Sequence, residues 1–123
     1  MRCAMAAAAT LAWLALWACD SGSPTRSKET HADSASIARG RALFLEHCVL
    51  CHGERANGRG VRRGSLSRPP TDFRSPLFVS DRPRIRRSIR DGVAGSDMPG
   101  WLRLGEPAVD DLTSYVLGVR SAR

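Results

Sequence analysis

Apolar residues are distributed unevenly along the 123-residue chain. From Cys3 to Cys19 they are almost continuous, with Thr10 the only polar position. Residues 20–33 (DSGSPTRSKETHAD) show no apolar period and carry Gly22 and Pro24, which predicts a flexible tether. Ile37, Gly40, Phe44 and Cys48 then recur at helical spacing, with Leu43 beside them, and Ser36 is placed to cap a helix that runs to about Cys48. Gly40 costs such a helix stability, so its place on the apolar face predicts the close approach of another element. Gly53, Gly58 and Gly60 punctuate the following loop, with Asn57-Gly58 a turn signal. Residues 68–73 (RPPTDF) interrupt regular structure. Pro83 opens a short helix with Ile85 and Ile89 on its apolar face and Gly92 at its end. The last helix is predicted from about Pro107 to Arg120, striped by Val109, Leu112, Val116 and Val119. Tyr115 lies beside that stripe, placed to pack against Gly40 and Phe44 where the two terminal helices cross.

Composition changes the reading of the first segment. Seventeen of the first 19 residues are apolar, and only 35 of the remaining 104 are. A domain so lean needs something besides side chains to complete its core. The apolar run is shorter than the roughly 20 residues of a bilayer span and follows Met1-Arg2, as in an export signal. It ends Leu16-Trp17-Ala18-Cys19, which resembles the lipobox of bacterial lipoproteins, with Trp17 departing from the usual residue at its position. That resemblance implies cleavage after Ala18 and lipid on Cys19. An uncleaved N-terminal anchor helix is the alternative. The expected organisation is a signal peptide over 1–18, a lipidated Cys19 with tether over 19–35, and one domain over 36–123. Such a chain is exported and held at a membrane facing the periplasm. Asp20 resembles the signal that keeps enterobacterial lipoproteins at the inner membrane.

With Cys3 in the signal and Cys19 the lipid site, Cys48 and Cys51 remain, in Cys48-Val49-Leu50-Cys51-His52. C-x-x-C-H is the attachment motif of c-type haem. Two thiols three residues apart reach the two vinyl groups, and the adjacent His52 presents its imidazole to the iron. A thioredoxin-like dithiol usually follows a strand, and none is predicted before Cys48. Zinc needs four ligands, and the fourth is not found.

Gly95-Ser96-Asp97-Met98-Pro99-Gly100-Trp101 carries the single Met outside the apolar start. Its thioether is a soft, flexible donor suited to low-spin haem iron. His31 lies in the tether and His47 is pinned beside Cys48, which leaves Met98 as the distal ligand. An isolated Met is otherwise ordinary core.

The sequence resembles the class I c-type cytochrome domain over about residues 36–121. The resemblance rests on Gly40, Leu43-Phe44 and Cys48-x-x-Cys51-His52-Gly53, then Met98-Pro99-x-Trp101, then Leu112 with Tyr115-Val116. It implies an all-α fold of three to four helices around one covalent haem c. It also implies His52 and Met98 as axial ligands, and one-electron transfer in place of enzymatic catalysis. Many relatives have a Pro after the loop glycines, whose carbonyl receives the other ring N–H of the haem His. Val61 occupies that region here, and Pro69 and Pro70 are other candidates. If Met98 did not ligate, the alternative is an open haem that binds a small gas or peroxide.

The chain has a formal charge of +7. Eleven Arg lie between Arg55 and Arg90 against Asp72 and Asp81, and Arg84, Arg86, Arg87 and Arg90 crowd one short helix. Genomic bias toward Arg is one explanation; steering toward acidic redox partners is the other. Nucleic-acid binding would explain the charge but not the haem motif. The expected state is a monomer.

Overall fold

The computed structural model describes the backbone of residues 25–121 and the side chains of residues 34–119. The signal segment, Cys19, Asp20 and the side chain of His31 lie outside the described residues. Among the described residues four helices follow one another: α1 (Thr25–His47), α2 (Val49–His52), α3 (Arg82–Asp91) and α4 (Glu106–Ser121). Short 3-10 turns occupy Arg63–Ser65 and Leu102–Leu104. Among the described residues there is no strand.

α1 starts at Thr25, so the second half of the segment expected as a tether is helical. Neither Pro nor Gly occurs between Thr25 and Arg39 to stop it. Ser36 is therefore inside the helix and caps nothing; its hydroxyl donates to Asp111 Oδ1 at 2.6 Å. α3 and α4 fall where the apolar stripes place them. Asp81 precedes α3 in extended backbone, Pro83 sits in its first turn, and Gly92 N–H closes its end on the Ser88 carbonyl at 3.0 Å.

The pair α1 and α4 forms the most extensive helix contact, and α3 packs on α4 from another side. The crossing of α1 and α4 is set at Gly40. A Cβ there would overlap the Asp111 carbonyl oxygen and come within 2.9 Å of Tyr115 Cβ. One turn on, Phe44 is 1% exposed and its ring lies 5.0 Å from that of Tyr115. Phe44, Val109, Leu112 and Val116 are buried together with Ile85 and Ile89 of α3, as one core.

Polar links bind the same crossing. Asp111 accepts from Arg39 Nε at 2.7 Å and Arg39 Nη2 at 2.8 Å, besides Ser36. The Arg39 guanidinium, first by hydrogen bonding, holds the Asp111 carboxyl below its ordinary value, against the opposing effect of burial. α3 is tied to α4 by Arg86, which reaches Glu106 and Asp110 at 2.6 Å each, and by Arg90, whose Nε lies 3.0 Å from Glu106. Two of the four arginines expected to project a steering charge from α3 are thus neutralised within the molecule.

Gly40→Ala should destabilise the protein by about 1–3 kcal/mol, the usual cost of overpacking a close contact, as read from urea midpoints. The Asp111 link has a definite sign in pH. Its carboxyl pKa is depressed on folding, so its stabilisation is complete above the unfolded carboxylate value of roughly 4 and is lost as pH falls through the lower folded value. The stability gap between wild type and Asp111→Asn should be constant near neutrality and close in acid, in urea melts taken across that range.

Candidate functional site

The chain turns at Cys48, between α1 and α2. Cys48 N–H still donates to the Phe44 carbonyl at 2.8 Å, and His52 N–H donates back to the Cys48 carbonyl at 2.9 Å. This one turn places Cys48, Cys51 and His52 together beneath α1. The loop after it folds back along α2, with Gly58 N–H on the His52 carbonyl at 2.8 Å and Arg62 N–H on the Leu50 carbonyl at 2.9 Å.

His52 is buried, and its ring is fixed from several sides. Its Nδ1–H donates to the Thr71 carbonyl at 3.3 Å. The acceptor is neither Val61, which is 87% exposed, nor Pro69 or Pro70, but the residue after them. Thr71 is brought there by Gly58. With φ +67°, Gly58 occupies the left-handed region, and a Cβ on it would strike the Pro70 carbonyl oxygen. Phe73 stacks on the His52 ring at 4.8 Å and 20°, and its N–H donates to the Ala56 carbonyl at 3.0 Å. Phe44 meets the same imidazole at 6.2 Å. Burial lowers the His52 pKa, and the Thr71 bond partly offsets this. The ring is therefore neutral at ordinary pH, with Nδ1 protonated and Nε2 left with a free lone pair, the state that binds a metal.

Met98 comes from a loop braced against the end of α3. The Met98 carbonyl accepts from Val93 N–H at 3.2 Å, and Trp101 N–H donates to the Ile89 carbonyl at 2.9 Å. The Ser96 hydroxyl donates to the Val93 carbonyl at 2.8 Å and accepts from Met98 N–H at 3.2 Å. Asp97 accepts from both Ser67 N–H and Ser67 Oγ, which ties this loop to residues 66–68. The His47 ring packs 5.2 Å from Trp101, on which Arg103 also lies at 4.1 Å.

Two cavities, of about 500 and 240 Å³, meet between these walls. His52, Thr71, Val93 and Met98 line both, so the two adjoin at these residues and together make up a slot. Cys48 and Cys51 line only the smaller end. Phe73, Phe78, Ile85 and Ile89 line the larger, with Leu77 at its exposed margin. The two cysteines are not bonded to each other. Burial, and secondarily the neighbouring Cys51, push the Cys48 thiol up to about 11, the opposite of the low value of a thioredoxin-like dithiol. Among the described residues no cluster of three or more His, Cys, Asp or Glu is placed to hold a metal ion, so the zinc reading has no geometry. An apolar slot with a neutral imidazole, a thioether and two thiols at one end fits a flat iron porphyrin held through its edge.

Residues 35–116 match the family described as cytochrome C oxidase, cbb3-type, subunit III. The chain belongs to this family. Curated relatives in it include the cbb3-type cytochrome c oxidase subunit CcoP of Azospirillum brasilense, 32% identical over 68% of this chain. The subunits FixP of Rhizobium etli and Bradyrhizobium diazoefficiens are each 32% identical, over 71% and 78% of it. The alignments cover 28–30% of these relatives, so the chain spans under a third of their length. A chain of the Kuenenia stuttgartiensis reducing HAO-like protein complex superposes with a TM-score of 0.58 at 26% identity, covering 69% of this chain and 44% of that one. The described helices are accordingly a class I c-type cytochrome domain of the subunit III family, an electron-transfer module. Its cofactor is covalently bound haem c.

Sequence reasoning identified the haem c cofactor, whose candidate residues Cys48, Cys51, His52 and Met98 the fold brings to adjoining cavities. It missed Thr71, Ser96 and the Ser67–Asp97 tie, because these act through backbone groups or small polar side chains that carry no signature of their own.

Proposed function

We propose that this chain is a membrane-tethered, single-haem electron carrier. Cys48 and Cys51 would hold the haem through thioethers, and His52 and Met98 would ligate its iron. The observation that carries this reading is the slot: His52 and Met98 border both of its ends, and the two thiols border one. When bound, haem iron supplies a one-electron Fe(III)/Fe(II) couple. The chain supplies the rest. The Thr71 carbonyl and the Phe73 ring hold the His52 imidazole in one tautomer and one orientation. The Ser96 hydroxyl and the α3 terminus hold Met98. With His52 and Met98 both donating, no iron position would remain for a substrate, and a rigid, apolar surround would limit the reorganisation that accompanies electron transfer. Thioether ligation favours a raised potential. No general acid, base or nucleophile is needed, so the protein is a carrier and not a catalyst.

The relatives are named as subunits of cbb3-type oxidases, which supports redox-protein partners for this chain. Its exposed loop arginines support an acidic docking surface on such a partner. Arg55, Arg59, Arg62 and Arg63 follow the thiols and are exposed, and the exposed Arg68 lines the smaller end of the slot beside Cys48 and Cys51. No helix among the described residues is long and apolar enough to cross a membrane. The apolar start and Ala18-Cys19 support a periplasmic domain anchored by lipid on Cys19.

Met98→Ala should keep covalent haem but open the iron. Its midpoint potential should fall, its near-infrared sulfur-to-iron band should vanish, and its ferrous form should bind carbon monoxide, all read by visible and near-infrared spectroscopy. A wild type that already binds carbon monoxide and lacks the band would replace this reading with the open-site one. Docking has its own measurement. Stopped-flow association with an acidic redox partner should slow as ionic strength rises, and reversal of Arg62 and Arg63 to Glu should slow it by about tenfold at low salt.

A further inference from the structure

The loop that carries Met98 is held unevenly. At its root it packs back on Gly92, where a Cβ would come within 2.8 Å of the Met98 carbonyl oxygen and of the Gly100 nitrogen. Bonds inside the loop, from Val93 N–H to the Met98 carbonyl and through the Ser96 hydroxyl, fix its shape. Its apex stands clear. Gly95 has a φ of +71°, and a Cβ there would meet nothing within 4 Å. These contacts define the loop and its root, and they leave its free side to be held by something else.

Asp97 supplies that hold. Its Oδ2 accepts from Ser67 N–H at 2.6 Å and from the Ser67 hydroxyl. The two residues are 30 apart in sequence and belong to different linings of the smaller cavity. Leu66 and Arg68 line it on either side of Ser67, and Ser96 and Met98 on either side of Asp97. The Ser67 segment continues to Thr71, whose carbonyl accepts from His52. One clasp therefore joins the segment that orients His52 to the segment that carries Met98. Asp97 is ionised at neutral pH, so both bonds are charge-assisted. Ser67 and Asp97 are both exposed, so the clasp can open to water without unfolding the core.

We propose that the Ser67–Asp97 clasp keeps Met98 on the haem iron, so that the protein excludes external ligands while the clasp is closed and admits them when it opens. This rests on Met98 as the axial ligand proposed above. Ser67 and Asp97 are positioning residues that act through Met98. When the clasp opens, the bond from the Met98 sulfur to iron breaks more readily. An external neutral donor then takes that position with its own lone pair, and no electron or proton is transferred.

The test uses the full chain as ferric holoprotein at neutral pH, titrated with imidazole while the near-infrared sulfur-to-iron band is followed. Asp97→Ala removes both bonds and should tighten imidazole binding by about tenfold, in the range of a hydrogen bond to a charged group. Ser67→Ala keeps the backbone donor and should tighten it less. Ser67→Thr restores the hydroxyl and should stay near wild type. The double variant Ser67→Ala with Asp97→Ala should match Asp97→Ala alone, because the two residues form one link. Ser65→Ala removes another exposed hydroxyl bond of the same segment, to the Arg62 carbonyl at 2.9 Å, and should leave imidazole affinity unchanged. Unchanged affinity in Asp97→Ala, additive effects in the double variant, or an equal change in Ser65→Ala would overturn the assignment. A wild type without the band sinks Met98 ligation, and this inference with it. A wild type with the band, beside an Asp97→Ala that binds imidazole no better, sinks the inference alone.

Discussion

At Gly40 the backbone of α1 meets the backbone of α4, with the Asp111 carbonyl occupying the space a side chain would need. This contact sets the distance between the terminal helices, and the rest of the site is referenced to it. Phe44, one turn further, is fixed between Tyr115 on α4 and the rings of His52 and Phe73. The haem-binding turn begins directly where α1 ends, since Cys48 N–H still bonds to the Phe44 carbonyl. Asp111 reinforces the same crossing from its rim through Arg39 and Ser36, with one carboxylate serving two α1 residues. The packing that stabilises the fold and the positioning of the His52 imidazole are therefore one set of contacts.

The core itself is small. Among the described residues seven hydrophobic side chains are buried, and several partly buried ones, Phe73, Phe78 and Met98 among them, face the slot. This answers the lean composition. An apolar cofactor of large area, once seated, gives these residues the contacts that the chain does not supply to itself. The slot is lined by the Cys48–His52 turn, by α3 and Val116 of α4, and by loops braced through backbone and short polar side-chain hydrogen bonds.

Charge is partitioned in the same structural terms. α3 is dense in arginine, but its charges serve different ends. Arg86 and Arg90 hold α3 to the acidic start of α4, where Glu106 and Asp110 also suit the positive end of the helix dipole. The charge left to act outward is concentrated on the loop that follows the thiols. An electrostatic account based on the sum of charges alone would assign to docking what the fold uses for its own cohesion.

By itself the sequence determined the helical class, the places of α3 and α4, the attachment motif, the cofactor and the crossing of Tyr115 on Gly40 and Phe44. These follow from local periodicity and from residues whose spacing is dictated by covalent or coordination chemistry, both of which are written along the chain. The start of α1 was not legible, because a polar segment free of Pro and Gly fits a helix and a coil equally well. Nor were the Thr71 carbonyl on His52 and the neutralisation of Arg86 and Arg90. Every backbone carbonyl is the same acceptor, and every arginine carries the same charge. Which of them reaches a partner depends on distances between segments far apart in sequence, and only the packing of α1, α3 and α4 fixes those.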